Sequence, residues 1–131
     1  MAGGCKKRLK VKPTIAVTSD GMELTLTIGR EYEVLGIEAD SYRILNNPET
    51  WPYGNDPVLF APQYFEIVDP TIPTFWNCTI GDEGEKYCYP PEWSTVGFFE
   101  DYHDGVEVVC SNFWKDLKRY YPETWRERSL K

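Results

Sequence analysis

The side chains best suited to chemistry in this 131-residue chain are its single histidine and its four cysteines. His103 lies seven positions before Cys110, and an imidazole beside a thiol is the pair that cysteine hydrolases use as base and nucleophile. Asp104-Gly105 lies between them and interrupts regular structure, so the two side chains are not expected to share one cleft. We therefore interpret Cys110 as a packing residue and His103 as a surface residue.

The remaining cysteines are Cys5, Cys78 and Cys88, and none of them forms a Cys-x-x-Cys motif, so the sequence does not predict a zinc site. Cys78 and Cys88 flank the turn signal of residues 81–84 and are expected to face each other across a β-hairpin. Because thiols in the cytosol are kept reduced, we expect this pair to be reduced rather than bridged.

An acidic cluster, Asp82, Glu83 and Glu85, occupies the same turn. It lacks the alternating oxygen ligands of a calcium loop, and no pocket for a general acid and base is predicted beside it. The chain also lacks a phosphate-binding glycine loop, a nucleophile elbow and a zinc-protease helix. The sequence therefore predicts a protein that is not an enzyme and has no metal or cofactor. A hydrolase using Cys110 or the acidic turn is a third hypothesis, after the two binding functions below.

The elements that must position these residues are clearest between Leu26 and Asp69, where short apolar runs alternate with tight polar connections. The predicted strands here and just upstream are 14–18, 22–28, 31–37, 41–45, 58–60 and 65–68. A three-residue loop joins the strands at 31–37 and 41–45, and Pro62-Gln63-Tyr64 forms a single turn before the last strand.

Residues 70–131 predict a second hairpin followed by helices. Strands at 75–80 and 85–89 flank the acidic turn, and residues 92–103 are expected to be partly helical. Apolar residues at steps of three or four predict an amphipathic helix over 106–120, which Pro122 ends. Residues 125–131 are expected to form a charged tail, and residues 1–8 a basic, disordered leader.

This strand order resembles an SH3-like barrel. Residues 26–35, LTIGREYEVL, are similar to the opening of small bacterial SH3-like proteins, and Pro62-Gln63-Tyr64 resembles the Pro-x-Tyr turn of eukaryotic SH3 domains. In those domains the Pro and Tyr help to line a groove for polyproline ligands. The resemblance implies an α+β fold, mainly β, with an SH3-like barrel over residues 9–69 and a packed extension of hairpin and C-terminal helices over residues 70–131. It also implies an alternative function, an adaptor that binds an extended or proline-containing peptide through Pro62 and Tyr64. The sequence has neither the Ala-Leu-Tyr-Asp-Tyr run nor the Trp-Trp pair of those domains, so Trp51 and Tyr53 would substitute for the rest of the groove.

The run WNCTIGDEGEKYCYPPEW at residues 76–93, together with residues 97–102, resembles the C-terminal part of small bacterial proteins associated with toxin-immunity loci. That resemblance implies a protein that binds and neutralises a toxin domain.

Charge is unevenly distributed along a chain whose net charge is −7. Residues 31–107 contain sixteen acidic residues and two basic ones, Arg43 and Lys86. An acidic surface can serve solubility alone, but a segment this one-sided repels nucleic acid and anionic membranes and favours a basic protein partner. The chain has no apolar run of membrane-spanning length and no signal-peptide pattern, so we expect it in the cytoplasm.

The leading hypothesis is therefore an acidic immunity protein that binds and neutralises a basic bacterial toxin domain. Loop aromatics would supply the desolvated centre of the interface, and acidic residues would accelerate the encounter. The predicted partner-binding residues are Trp51, Tyr53, Glu38, Asp40, Glu49, Asp56, Asp82, Glu83 and Glu85.

Overall fold

A computed structural model of the protein describes residues 8–129, in which eight strands form two antiparallel sheets and three helices follow them. The strands are β1 (Lys10–Pro13), β2 (Tyr32–Glu33), β3 (Gly36–Glu38), β4 (Ser41–Leu45), β5 (Pro57–Phe60), β6 (Phe65–Asp69), β7 (Asn77–Ile80) and β8 (Lys86–Tyr89). The helices are α1 (Phe98–His103), α2 (Glu107–Tyr120) and α3 (Pro122–Ser129). This is the predicted α+β class, with similar amounts of strand and helix. The predicted leader lies outside the described residues, except for Arg8.

The strands are arranged as a three-stranded sheet, β2-β1-β6, and a five-stranded sheet, β5-β4-β3-β8-β7. The chain crosses from the first sheet to the second at Val34 and Leu35. Val34 N donates to Leu9 O at 3.0 Å, whereas Leu35 N donates to Arg43 O at 2.8 Å. The predicted strand over 31–37 is therefore two strands in two sheets. Both residues are fully buried, and each belongs to a different apolar core.

The two cores lie on opposite faces of the five-stranded sheet, because strand side chains alternate between faces. Ile44 packs into the core shared with the three-stranded sheet, and its neighbour Leu45 packs into the core shared with the helices. The second core is largely aromatic and includes Trp93, which stacks on Phe113 with ring centroids 4.7 Å apart. The helices are thus packed onto the sheet that also contains β3, β4 and β5.

The second hairpin belongs to that same sheet, since β8 pairs with β3 through Ile37 opposite Cys88. Its strands, the helix α2 and the turn at Pro62–Tyr64 confirm the predicted elements. The division of the chain into a barrel over 9–69 and an extension over 70–131 remains a prediction.

Four further predictions are wrong: two strands, one loop and the C-terminal tail. The segments 14–18 and 22–28 form no strands and are joined by an isolated bridge between Val17 and Glu23; Leu24 and Leu26 are buried, whereas Met22 and Ile28 are exposed. The β3–β4 connection is a two-residue turn, not a three-residue loop, with positive φ angles at Ala39 and Asp40 that suit the twist of a hairpin. Residues 125–131 are not simply a charged tail, because residues as far as Ser129 belong to α3, whose first residue is Pro122.

Candidate functional site

Two acidic turns lie side by side at one end of the five-stranded sheet. The β3–β4 turn is fixed to β8 because Asp40 N donates to Lys86 O at 3.1 Å and Lys86 N donates to Asp40 Oδ1 at 3.0 Å. Burial raises the pKa of the Tyr87 hydroxyl, and the hydrogen bond to Glu85 and the nearby acidic charges raise it further. Glu38 and Asp40 of one turn and Glu85 of the other therefore raise the pKa of the same tyrosine, although the two turns are distant in sequence.

The acidic residues at the tip of the β7–β8 hairpin have two different roles. The Glu85 carboxylate accepts hydrogen bonds from Glu83 N at 2.9 Å and from the Tyr87 hydroxyl at 3.2 Å. Backbone hydrogen bonds to this carboxylate hold the pKa of Glu85 below its usual value. Asp82 and Glu83 are exposed, and within residues 8–129 no ion pair engages their side chains. Glu85 thus supports the turn, whereas Asp82 and Glu83 present charge to solvent.

The other predicted residues lie at the opposite end of β4, in the loop of residues 46–56. Trp51 is 90% exposed and Tyr53 is 57% exposed, while Asp56 is partly buried. Burial raises the pKa of Asp56, and the charge of His103 opposes this. Five residues of strand, roughly 16 Å, separate this loop from the acidic turns.

The nine predicted partner-binding residues therefore form two groups rather than one face. Glu38, Asp40, Asp82, Glu83 and Glu85 lie at the acidic turns, and Glu49, Trp51, Tyr53 and Asp56 lie in the loop. The residues of the alternative groove are also separated. Trp51 and Tyr53 precede β5 and Pro62 and Tyr64 follow it, at a distance of roughly 13 Å along the strand.

Sequence reasoning missed a cleft of about 670 Å³ beside the acidic turns, on the face of the five-stranded sheet that carries the helices. The floor comes from alternate residues of β7 and β8: Asn77, Thr79, Tyr87 and Tyr89. One wall is the segment 94–99, in which Val96 is 98% exposed and Phe98 is partly buried. Glu38 and Glu100 also line the cleft, so an aromatic surface is bordered by carboxylates.

The base of the cleft contains a charged network around Arg43, which is only 5% exposed. Its guanidinium donates to Glu38 Oε1 at 2.7 Å, to the Tyr89 hydroxyl at 3.0 Å and to Pro57 O at 3.0 Å. The same group lies 4.1 Å from the ring centroid of Phe99, and the Tyr89 hydroxyl donates to Glu38 Oε1 at 2.8 Å. Arg43 is thus neutralised internally. A charged residue within the apolar run of β4 was the one sequence signal for this network.

The thiol and imidazole considered first do not form an activated pair. Cys110 Sγ donates to Tyr102 O at 3.5 Å, and His103 Nε2 lies 3.1 Å from Pro57 O. Burial and the charge of Asp56 raise the pKa of the Cys110 thiol, whereas a nucleophilic cysteine needs a lowered pKa. The hydrogen bond and the raised pKa of Cys110 are those expected of a packing residue.

Cys78 and Cys88 face each other as predicted, but they form a disulfide instead of the expected pair of reduced thiols. They are directly opposed in β7 and β8, and their Cα atoms are 4.1 Å apart. Such closeness is typical of the non-hydrogen-bonded pairs of antiparallel strands, which bring facing side chains together.

Across residues 8–129, no group of three or more His, Cys, Asp or Glu side chains could hold a metal ion. None of the helices described has the length and apolar character needed to cross a membrane. Comparison with protein-family models, curated proteins and solved structures found no match to this chain.

Proposed function

We propose that this protein is a non-enzymatic acidic binding protein that recognises a basic region of another protein. We propose further that the partner is a bacterial toxin domain, which binding would neutralise, as an immunity protein does. The observation that carries the proposal is the joining of the β3–β4 and β7–β8 turns by β3–β8 pairing, which gathers Glu38, Asp40, Asp82, Glu83 and Glu85 at one end of one sheet.

Electrostatics explains why such an arrangement favours a basic protein. Asp82 and Glu83 keep their charges exposed, and the nearest basic residues in the sheet are the buried, paired Arg43 and a single lysine, Lys86. A concentrated field of one sign accelerates the encounter with an oppositely charged surface, and it repels nucleic acid and anionic lipid. The adjacent cleft offers exposed apolar groups, Val96 above all, that a partner could desolvate.

An extended-peptide adaptor is the second candidate function, and the exposure of Trp51 favours it. Trp51 is 90% exposed and Tyr53, two positions later in the sequence, is 57% exposed, so this loop presents two aromatic side chains to solvent. A peptide bridging these side chains to Pro62 and Tyr64 would follow β5 for roughly 13 Å, about four residues of polyproline helix. A proline-rich peptide whose affinity depends on Trp51 and not on Asp82 would place this function first.

The test of the leading proposal is the salt dependence of binding to a captured partner. The purified protein is used as bait in extract of its source cells, and the association rate of the captured protein is measured at several salt concentrations. The double variant Asp82→Lys/Glu83→Lys should lower that rate and flatten its salt dependence, because exposed charges act over about 10 Å at 0.1 M salt.

The matched control is Glu23→Lys/Glu31→Lys, which changes the net charge equally at two exposed residues remote from the acidic turns in sequence. If the association rate responds only to total charge, the two double variants will behave alike and the local surface is not the binding site. An acidic partner, or a rate indifferent to salt, would contradict the proposed function.

A further inference from the structure

The strand β7 (Asn77–Ile80) is an open edge of the five-stranded sheet. It pairs with β8 on one side, and within residues 8–129 no strand pairs with its other side. All four of its residues are exposed. An edge of this kind carries unpaired backbone N–H and C=O groups, which are a template for a strand from another chain.

The register shows which backbone groups face outward. Gly81 N donates to Glu85 O at 2.7 Å, so Gly81 and Glu85 form a hydrogen-bonded pair. Hydrogen-bonded pairs alternate along antiparallel strands, so Asn77 and Thr79 also bond to β8. The backbone groups of Cys78 and Ile80 therefore point toward the open edge.

The same alternation places the cleft beside that edge. The side chains of Asn77 and Thr79 line the cleft together with Tyr87 and Tyr89 of β8. A strand added to β7 would direct every second side chain onto this face, toward Val96 and Phe98.

The charges around the cleft determine which segments could pair with the open edge of β7. Glu100 lines the cleft and Asp82 and Glu83 follow β7 at the hairpin tip, whereas Glu38 and the Arg43 guanidinium neutralise each other at the base of the cleft. An acidic strand would be repelled at both places. The field of these carboxylates favours a segment with a net positive charge, and the apolar wall of the cleft favours apolar side chains at every second position.

We propose that β7 binds an extended basic segment of the protein partner by strand addition, with alternate apolar side chains entering the cleft between β8 and residues 94–99. This inference rests on the proposed function and specifies how the basic partner is recognised. Main-chain hydrogen bonds to Cys78 and Ile80 supply the geometry, and the cleft selects the side chains.

Two peptides of equal composition and charge test this mode of recognition. The probe is fluorescein-labelled Lys-Val-Lys-Phe-Lys-Val-Lys, and the control is Val-Phe-Val-Lys-Lys-Lys-Lys, which loses the alternation. Strand addition predicts that the alternating peptide binds at least tenfold more tightly in fluorescence anisotropy. In the wild-type protein, it should also slow hydrogen exchange of the Cys78 and Ile80 amides, whereas the Thr79 amide is already bonded within the hairpin.

Substitutions at Ile80 separate the backbone from the side chain. Ile80→Pro removes an N–H that points toward the open edge and leaves the β7–β8 hydrogen bonds in place, so binding should fall at least tenfold. Ile80→Ala removes a side chain that is 65% exposed and keeps the N–H, so it should bind almost as wild type. Val96→Lys should weaken binding, whereas Val108→Lys, at an exposed position on α2, should not.

Equal binding of both peptides, or amides of Cys78 and Ile80 that exchange as fast with the alternating peptide as without it, would overturn strand addition. If Asp82→Lys/Glu83→Lys still abolishes such order-independent binding, the proposed acidic binding function stands without the edge mechanism. If the charge reversal changes neither peptide binding nor partner capture, the proposed function itself fails.

Discussion

Replacing Arg128 with methionine would remove the charged group that ties α3 to the loop of residues 46–56. The side chain of Arg128 is 2% exposed. Its guanidinium donates to Leu45 O at 3.2 Å, to Asn55 Oδ1 at 2.9 Å and to Asn46 O. Methionine keeps most of the aliphatic stem, so the substitution removes these hydrogen bonds together with a 3.3 Å ion pair to the half-exposed Glu127, which is worth little at the surface.

The expected loss of stability is about 3 kcal/mol. A buried acceptor left without a donor costs about 1 to 3 kcal/mol, and Arg128→Met strips a donor from two backbone carbonyls and one side-chain amide. Two effects keep the cost for each of the three acceptors near the lower end of this range. A small adjoining cavity of about 180 Å³ can admit water to these acceptors, and burial lowers the pKa of Arg128, which shows that the guanidinium is itself costly to bury.

Urea denaturation followed by circular dichroism measures this change, and Arg126→Met is the matched control. Arg126 lies on the same helix but is exposed, so its substitution should alter the free energy of unfolding by less than about 0.5 kcal/mol. Hydrogen exchange at Asn46 N, which donates to Asp56 O at 2.9 Å, reports whether the loop opens. If Arg128→Met costs under about 1 kcal/mol, or no more than Arg126→Met, α3 does not hold the loop in the way described.

Three further outcomes follow from the same structure. Reducing the Cys78–Cys88 disulfide, whose cysteines are 10 positions apart, should lower the free energy of unfolding measured in urea by roughly 2 to 3 kcal/mol. The control is Cys78→Ala/Cys88→Ala, whose stability should not respond to reductant. If reduction leaves the wild type unchanged, or destabilises the control as well, the disulfide does not stabilise the fold. Burial raises the pKa of Glu33 above its usual 4.5, so the neutral form is favoured in the folded state and stability is lost as pH rises through the raised pKa. The free energy of unfolding of Glu33→Gln, relative to that of the wild type, should therefore increase from pH 4 to pH 7. If the difference between the two free energies stays constant over this range, the inference is wrong. The full chain should unfold in one cooperative transition, whereas a fragment of residues 1–70 should aggregate because Leu35 loses the aromatic side chains that cover it. A folded, soluble fragment would show that residues 1–70 do not depend on the helices.

Much of the fold could be predicted because its signals are local. Short runs of β-forming residues bounded by turn residues located β4, β6 and the second hairpin, and an apolar period of three to four located α2. The crossing at Val34 and Leu35 could not be found in this way. Two adjacent apolar residues are compatible with one fully buried strand, and only the partners Leu9 and Arg43 show that the strand divides between two sheets.

The charged tail was wrong for a related reason. Pro122 marks the end of α2, and proline is also well suited to the first position of a helix, which is the position it occupies in α3. Nothing in the local sequence accounts for the burial of Arg128. Its acceptors, Leu45 O and Asn46 O, lie more than 80 positions away in the sequence.

The candidate site could be predicted in composition but not in arrangement. The excess of acidic residues is visible in the sequence, whereas their division between two ends of β4 depends on strand pairing. The pairing of Glu38 with Tyr87 brings one acidic turn against the other, and the length of β4 moves Trp51 away from both. The cleft is formed by segments that were predicted separately, so no local pattern indicated it.

This separation changes what a binding measurement can show. Groups that share no partner and lie more than about 10 Å apart contribute nearly independently to a free energy of binding. If one partner covers both Trp51 and Asp82, the losses from Trp51→Ala and Asp82→Lys should add, with the first in the dissociation rate and the second in the association rate. If only the acidic end binds, Trp51→Ala will be silent although the indole is 90% exposed. The loop would then be a second surface, and its aromatics would need a ligand of their own.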